Sequence, residues 1–142
     1  MRGVSYEMVE HTGDLAVRLR APHLCGLIET GIFAMRALLF EGTPGPDAPA
    51  QHGRARVSGV DREDVLVQAL SEALHLMQGG ALFPRTVRIE MPEDGEAKLW
   101  LEGVGADGKR LRQVAEIKAV TYHAVEIQQR EGQLETLVVL DV

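Results

Sequence analysis

The chain has 142 residues, 45% hydrophobic and 25% charged, with a formal net charge of −6. That length fits one domain, residues 1–142, with a real core, and the acidic balance excludes avid, sequence-independent binding of RNA or DNA by this chain alone. One cysteine, Cys25, excludes an intrachain disulfide and a thiolate zinc site, and the lack of an apolar run of about 18 residues or of an apolar leader points to a cytoplasmic protein with no membrane span.

Residues 4–9 read as a short strand ending at Glu10-His11. His11-Thr12-Gly13-Asp14 reads as a turn, because Gly13 permits a positive φ and Thr12 or Asp14 can bond the local backbone. Residues 15–20 alternate, with Leu15, Val17 and Leu19 on one face and Ala16, Arg18 and Arg20 on the other. The two strands form a hairpin whose turn presents His11 and Asp14. Leu24, Leu27/Ile28, Ile32, Met35 and Leu38/Leu39 then recur at helical spacing. Gly26 and Gly31 weaken that helix unless they mark close packing. Cys25, near its start, reads as a small buried hydrophobe.

Residues 42–53 hold three prolines and three glycines, a surface-loop composition. His52 in that loop faces solvent, and residues 54–60 read as a weak strand. Asp61 caps a second helix over 62–78, with Asp64 three positions on. Its stripe is Leu66, Ala69/Leu70, Ala73/Leu74 and Met77, and Gly79-Gly80 ends it. His75 falls on the flank of that stripe. Residues 85–91 and 97–104 alternate around the turn sequence Pro92-Glu93-Asp94-Gly95 and form a second hairpin. After a turn at 105–108, residues 109–127 read as extended chain. A turn at 130–133 leads into the final strand, 134–142. The order β-β-α-β-α followed by hairpins predicts an α+β fold, with two helices on one face of a mostly antiparallel sheet in two layers.

Chemistry concentrates in two places. Glu116-Ile117-Lys118-Ala119-Val120-Thr121-Tyr122-His123 carries Glu116 and Lys118 two apart, hence on one face of an extended chain. It ends on His123, which can ligate or titrate near neutral pH. The second place is the end, Asp141-Val142. If the Val-Val-Leu strand before it is held in a sheet, Asp141 and the terminal carboxylate become two fixed anions that need a hard cation or a lysine. Asp14, in the first hairpin turn, is a candidate third carboxylate, though spacing alone does not bring 14 and 141 together, and His11 with Asp14 admits either an imidazole-carboxylate metal reading or a turn held by side-chain caps. Ser5, Ser58 and Ser71 sit in strand or helix patterns, with no nucleophile elbow around them.

Three stretches together resemble one family. His11-Thr12-Gly13-Asp14-Leu15 is similar to the archease His-Thr-Ala-Asp-Ile signature. Residues 116–123 match the most recognisable archease motif, and Val138-Val139-Leu140-Asp141-Val142 resembles the archease C-terminal strand. Gly13 and Leu15 depart mildly from that pattern. Leu70-Ser71-Glu72-Ala73 departs from the usual Leu-Asn-Glu-Leu, and residues 111–115 lack a histidine often found there. The resemblance implies a cofactor of the RtcB-type RNA ligase of tRNA splicing and RNA repair, promoting guanylylation and multiple turnover. RNA and GTP are then met indirectly, through the ligase. It also implies a divalent-metal site, seen with calcium in the family, from Asp14, Asp141 and the carboxylate or carbonyl of Val142. Lys118 falls on the family's functionally important lysine and would join that cluster. The alternatives are a stand-alone metal-dependent phosphohydrolase and a chaperone-like adaptor.

Overall fold

A hairpin of two strands, β1 (Ser5–His11) and β2 (Asp14–Ala21), opens the chain. The computed structural model describes residues 3–11 and 14–142, so the turn expected at Thr12-Gly13 lies outside the described residues. The register runs from Ser5 opposite Arg20 to His11 opposite Asp14. Helix α1 (Leu24–Leu39) follows and buries Leu27, Ile28, Ile32, Met35 and Leu39. Its glycines do mark close packing. A Cβ on Gly31 would lie 2.7 Å from Leu70 Cδ2, and one on Gly26 would lie 2.7 Å from the Ala21 Cβ.

Strand β3 (Phe40–Gly42) and strand β4 (Ala50–Ser58) come next. The Pro/Gly loop is therefore shorter than composition suggests, because Ala50 to Gly53 is already strand. A distant partner supplies the ladder: Ala50 pairs with Val104 and Gly53 with Leu101. Helix α2 (Arg62–Leu74) begins as expected, with the Asp61 carboxylate accepting the Asp64 N–H at 2.8 Å. Asp64 in turn accepts the Val60 N–H at 2.9 Å. The helix widens into a π-turn at His75–Gly79 before it stops; such widenings are rare and frequent at functional sites.

The remaining strands are β5 (Leu82–Glu90), β6 (Glu96–Gly105), β7 (Leu111–Gln113), β8 (Ala119–Val120), β9 (Gln128–Arg130) and β10 (Gln133–Asp141). All described pairings are antiparallel, but they divide between sheets rather than forming one. One sheet runs β1-β2-β10-β8, with β9 also on β10. A second runs β4-β6-β5, and β3 pairs with β7. Glu131 and Gly132, both at positive φ, close the tight β9–β10 hairpin. The fold class is α+β, and the helices pack with the inner faces of both larger sheets around one core. No helix among the described residues is long and apolar enough to cross a membrane.

Candidate functional site

The last strand lies between the first hairpin and the motif segment. Strand β10 pairs with β2 from Leu134 opposite Ala21 to Leu140 opposite Leu15. One further step of that register sets Asp141 across from Asp14. On its other side, β10 pairs with β8, with Asp141 opposite Ala119. Residues 14, 141 and 119 thus share one row, with His11 next to Asp14 on β1. Opposed residues in such ladders sit about 4.5–5.5 Å apart at Cα, with their side chains on one face. Leu140 and Val120, one step along, are buried. By alternation the two aspartates stand on the outer face of the sheet, and both are exposed.

This row brings residues 127 positions apart to the facing ends of neighbouring strands. Val138, Val139 and Leu140 are 1–2% exposed, so the apolar end of β10 is held in the sheet and carries Asp141 with it. Like charges directly opposite one another are destabilising. Asp14, Asp141 and the carboxylate or carbonyl of Val142 offer oxygen only, the donor chemistry of a hard cation. Those donors therefore fit the divalent metal that the resemblance implies. Among the described residues, no three His, Cys, Asp or Glu side chains converge to hold a metal.

Lys118 approaches through its backbone. Its N–H donates to the Asp141 carbonyl at 2.6 Å. The side chain is exposed, and among the described residues it forms no ion pair with either aspartate. Ala119, not Lys118, lies opposite Asp141 in the register. Lys118 is thus joined to Asp141 through its backbone. Glu116 and Lys118 are both exposed around buried Ile117, as an extended chain requires. The side chain of His11 lies outside the described residues.

Residues 116–127 are not the long strand that their composition suggests. Only Ala119 and Val120 pair in a ladder, and Thr121 anchors beside them. Its N–H and its hydroxyl both donate to the Val139 carbonyl, at 3.0 and 2.9 Å. Beyond that point the chain bends, and helix α2 holds it with side chains. Gln78 in the π-turn clamps Ile117: its Oε1 accepts the Ile117 N–H at 2.8 Å, and its Nε2 donates to the Ile117 carbonyl at 2.9 Å. The Tyr122 hydroxyl donates to Asp64 at 2.6 Å and accepts from Gln68 Nε2 at 3.2 Å. Glu63 accepts the Ile127 N–H at 2.9 Å. The Tyr122 hydrogen bond, with that from the Val60 N–H, holds the Asp64 carboxyl below the ordinary carboxylate range. The same bond, with burial, pushes the Tyr122 phenol up. His123 is exposed at the bend, its N–H donating to the Thr121 hydroxyl at 3.3 Å.

Sequence reasoning missed Gln78, Gln68 and Glu63. Only Asp64 had a visible signal, as the third residue after a cap. A glutamine at a helix end carries no local mark of what it will reach. His52 and His75 are exposed, as expected. Cys25 is half-buried at the start of α1, and burial pushes its thiol up rather than activating it.

An antiparallel α+β domain whose last strand presents an aspartate beside a conformationally clamped lysine segment matches one known class throughout. The sequence model of the Archease protein family matches residues 6–142. The chain is 28% identical over 145 residues to the protein archease of Methanosarcina barkeri, covering 99% of this chain and 98% of that protein. It is 26% identical over 146 residues to the protein archease of Methanosarcina acetivorans, with the same coverage. The fold is that of the solution structure of Methanobacterium thermoautotrophicum protein 1598, with a TM-score of 0.71, 24% identity and 100% of both chains covered. It is also that of a Thermotoga maritima archease described as a possible chaperone, with a TM-score of 0.66, 21% identity and 96% of both chains covered. The chain belongs to the archease family.

Proposed function

We propose that this archease is a protein cofactor of an RtcB-type RNA ligase, promoting its guanylylation and its return to repeated turnover. One observation supports this reading most: Asp14 and Asp141 come to one row at the edge of the sheet, beside the Glu116–Lys118 stretch. The row presents exposed acid and an exposed lysine. That arrangement suits insertion into another protein's site better than turnover of a substrate of its own. In this reading Asp14, Asp141 and Val142 hold a divalent cation, calcium or another hard ion, which supplies fixed positive charge. Lys118 sits with its N–H tied to Asp141, so its ammonium projects from a positioned backbone toward a phosphate or a ligase carboxylate. Glu116, His11 and His123 flank this row as secondary contacts. Fixed charges of this kind act where charge develops during nucleotidyl transfer.

The test is multiple-turnover RNA ligation by the cognate ligase with GTP and divalent metal. Asp14→Ala, Asp141→Ala and Lys118→Ala are each expected to lose stimulation while the proteins stay folded. Full stimulation by all three would sink the proposal. It would favour the adaptor role under which the Thermotoga maritima protein is described as a possible chaperone. GTP hydrolysis by this chain alone would instead favour the phosphohydrolase.

A further inference from the structure

The β4-β6-β5 sheet carries a second surface unlike the rest of the molecule. Its inner face is the core, with Val57, Ala97, Leu99 and Leu101 buried. On its outer face Arg54, Trp100 and Arg88 stand in one row, and Arg56, Lys98 and Glu90 in the next. The Arg88 guanidinium lies 3.9 Å from the centre of the Trp100 ring. Glu90 pairs with Arg88 at 2.5 Å, and Glu96 with Arg56 at 3.0 Å. Arg54 and Lys98 form no ion pair among the described residues. With Glu102, this face holds four cations against three carboxylates. It is therefore +1 on a chain of −6, which leaves −7 for everything else. Two open depressions flank the ring. One of about 430 Å³ is bounded by Arg54, Arg56, Lys98 and Trp100, and one of about 570 Å³ by His52, Arg54, Trp100 and Glu102.

We propose that this face binds a single-stranded nucleic acid, with a base stacked on the Trp100–Arg88 pair and neighbouring phosphates held by Arg54 and Lys98. Trp100 is the one apolar side chain in these rows. A stable protein interface needs an apolar centre built from many residues, whereas a base needs one ring or guanidinium plane. The two cations without an ion pair among the described residues both border that ring, Arg54 beside it on β4 and Lys98 one row along on β6, where phosphates next to a stacked base would lie. The acidic remainder of the chain makes the binding weak and salt-sensitive, consistent with the exclusion of avid binding by composition.

Trp100 is the only tryptophan, so its fluorescence reports this face alone. The full chain is titrated at low salt with uridine-rich and thymidine-rich 12-mers, with duplex RNA of equal length, and with polyglutamate. The single strands are expected to quench Trp100 and the duplex to bind more weakly. Affinity should fall with salt at a slope of about −1.4 for two phosphate contacts, and Arg54→Ala or Lys98→Ala should each remove about 0.7 of it. By anisotropy of labelled RNA, Trp100→Ala should weaken binding roughly 5- to 100-fold, and Trp100→Phe should restore most of it. Quenching by polyglutamate but by no oligonucleotide would overturn the proposal in favour of an acidic protein partner. Binding unchanged in Trp100→Ala would overturn it too. No ligase is present in this assay, so the ligase reading and this one fail separately.

Discussion

The end of the β2–β10 pair and the segment 116–127 lie side by side but are positioned by different means. Asp14 and Asp141 are placed by a backbone ladder that runs unbroken from Leu134 to Leu140. Residues 116–127 have two residues in a ladder, further bonds to β10 from Lys118, Thr121 and Glu126, and side-chain clamps from α2 and its π-turn at Ile117, Tyr122 and Ile127. A ladder is cooperative and sets every residue at once. A set of side-chain clamps can be released one at a time. The acidic row is therefore set by the core strands, while the lysine segment beside it also depends on individual side chains of α2 and its π-turn.

This contrast can be broken at four points. The largest effect is expected from Leu140→Ala. Leu140 is 1% exposed and pairs with both Leu15 and Val120, so its truncation should cost about 2–5 kcal/mol in urea unfolding. A loss well under 1 kcal/mol would show that the ladder does not depend on the core beneath it. Next comes Gln78→Ala, which strips both backbone groups of Ile117 of their partner. It should cost about 1–3 kcal/mol and speed amide exchange at Ile117 while Val138 keeps its protection. Equal loss at both sites would mean that the segment and the ladder are one unit after all.

Asp141→Asn acts in the opposite direction. With the metal chelated and at low ionic strength, removing one of two facing carboxylates should raise stability by about 0.2–1 kcal/mol. Calcium should raise the Tm of the wild type and leave that of the variant unchanged. A Tm that responds equally in both would remove Asp141 from the metal set. The smallest effect belongs to Tyr122→Phe, read by titration. Asp64 has a depressed pKa in the folded chain, so its contribution is present at neutral pH and lost as pH falls through that depressed value. Tyr122 has a raised one, so its contribution is present at neutral pH and lost as pH rises through the raised value. The variant should return the Asp64 carboxyl toward the ordinary range and flatten both arms of the pH–stability curve. An unmoved Asp64 would show that the Tyr122 hydrogen bond does not hold the segment.

Periodicity alone located the first hairpin, both helices and the β5–β6 hairpin, because each buries one face and so writes its period into the chain. The Asp61 cap was legible for the same local reason. So were the three motif stretches that place this chain among the archeases. What was not legible depends on distant partners. Ala50 to Gly53 looks like loop until β6 offers it a ladder, and Gly53 is small because Leu76 lies against it; a Cβ there would come within 3.0 Å of Leu76 Cδ2. Val120, Thr121 and Tyr122 suit a strand by residue type, yet the ladder stops at Val120, and beyond it α2 takes the Tyr122 hydroxyl and the Ile127 N–H while Thr121 and Glu126 still bond β10.

The sequence by itself located the motif stretches and the amphipathic elements, since residue type and local period are properties of the chain. Only the tertiary structure decided which of them stand together. The register of β10 between β2 and β8 aligns Asp14 with Asp141 and ties the Lys118 N–H to the Asp141 carbonyl, while the separate register of β6 between β4 and β5 gathers Arg54, Trp100 and Arg88 into a row. Those pairings follow from burying Val138, Leu140 and Leu99 in one core, and no local stretch of sequence contains that constraint.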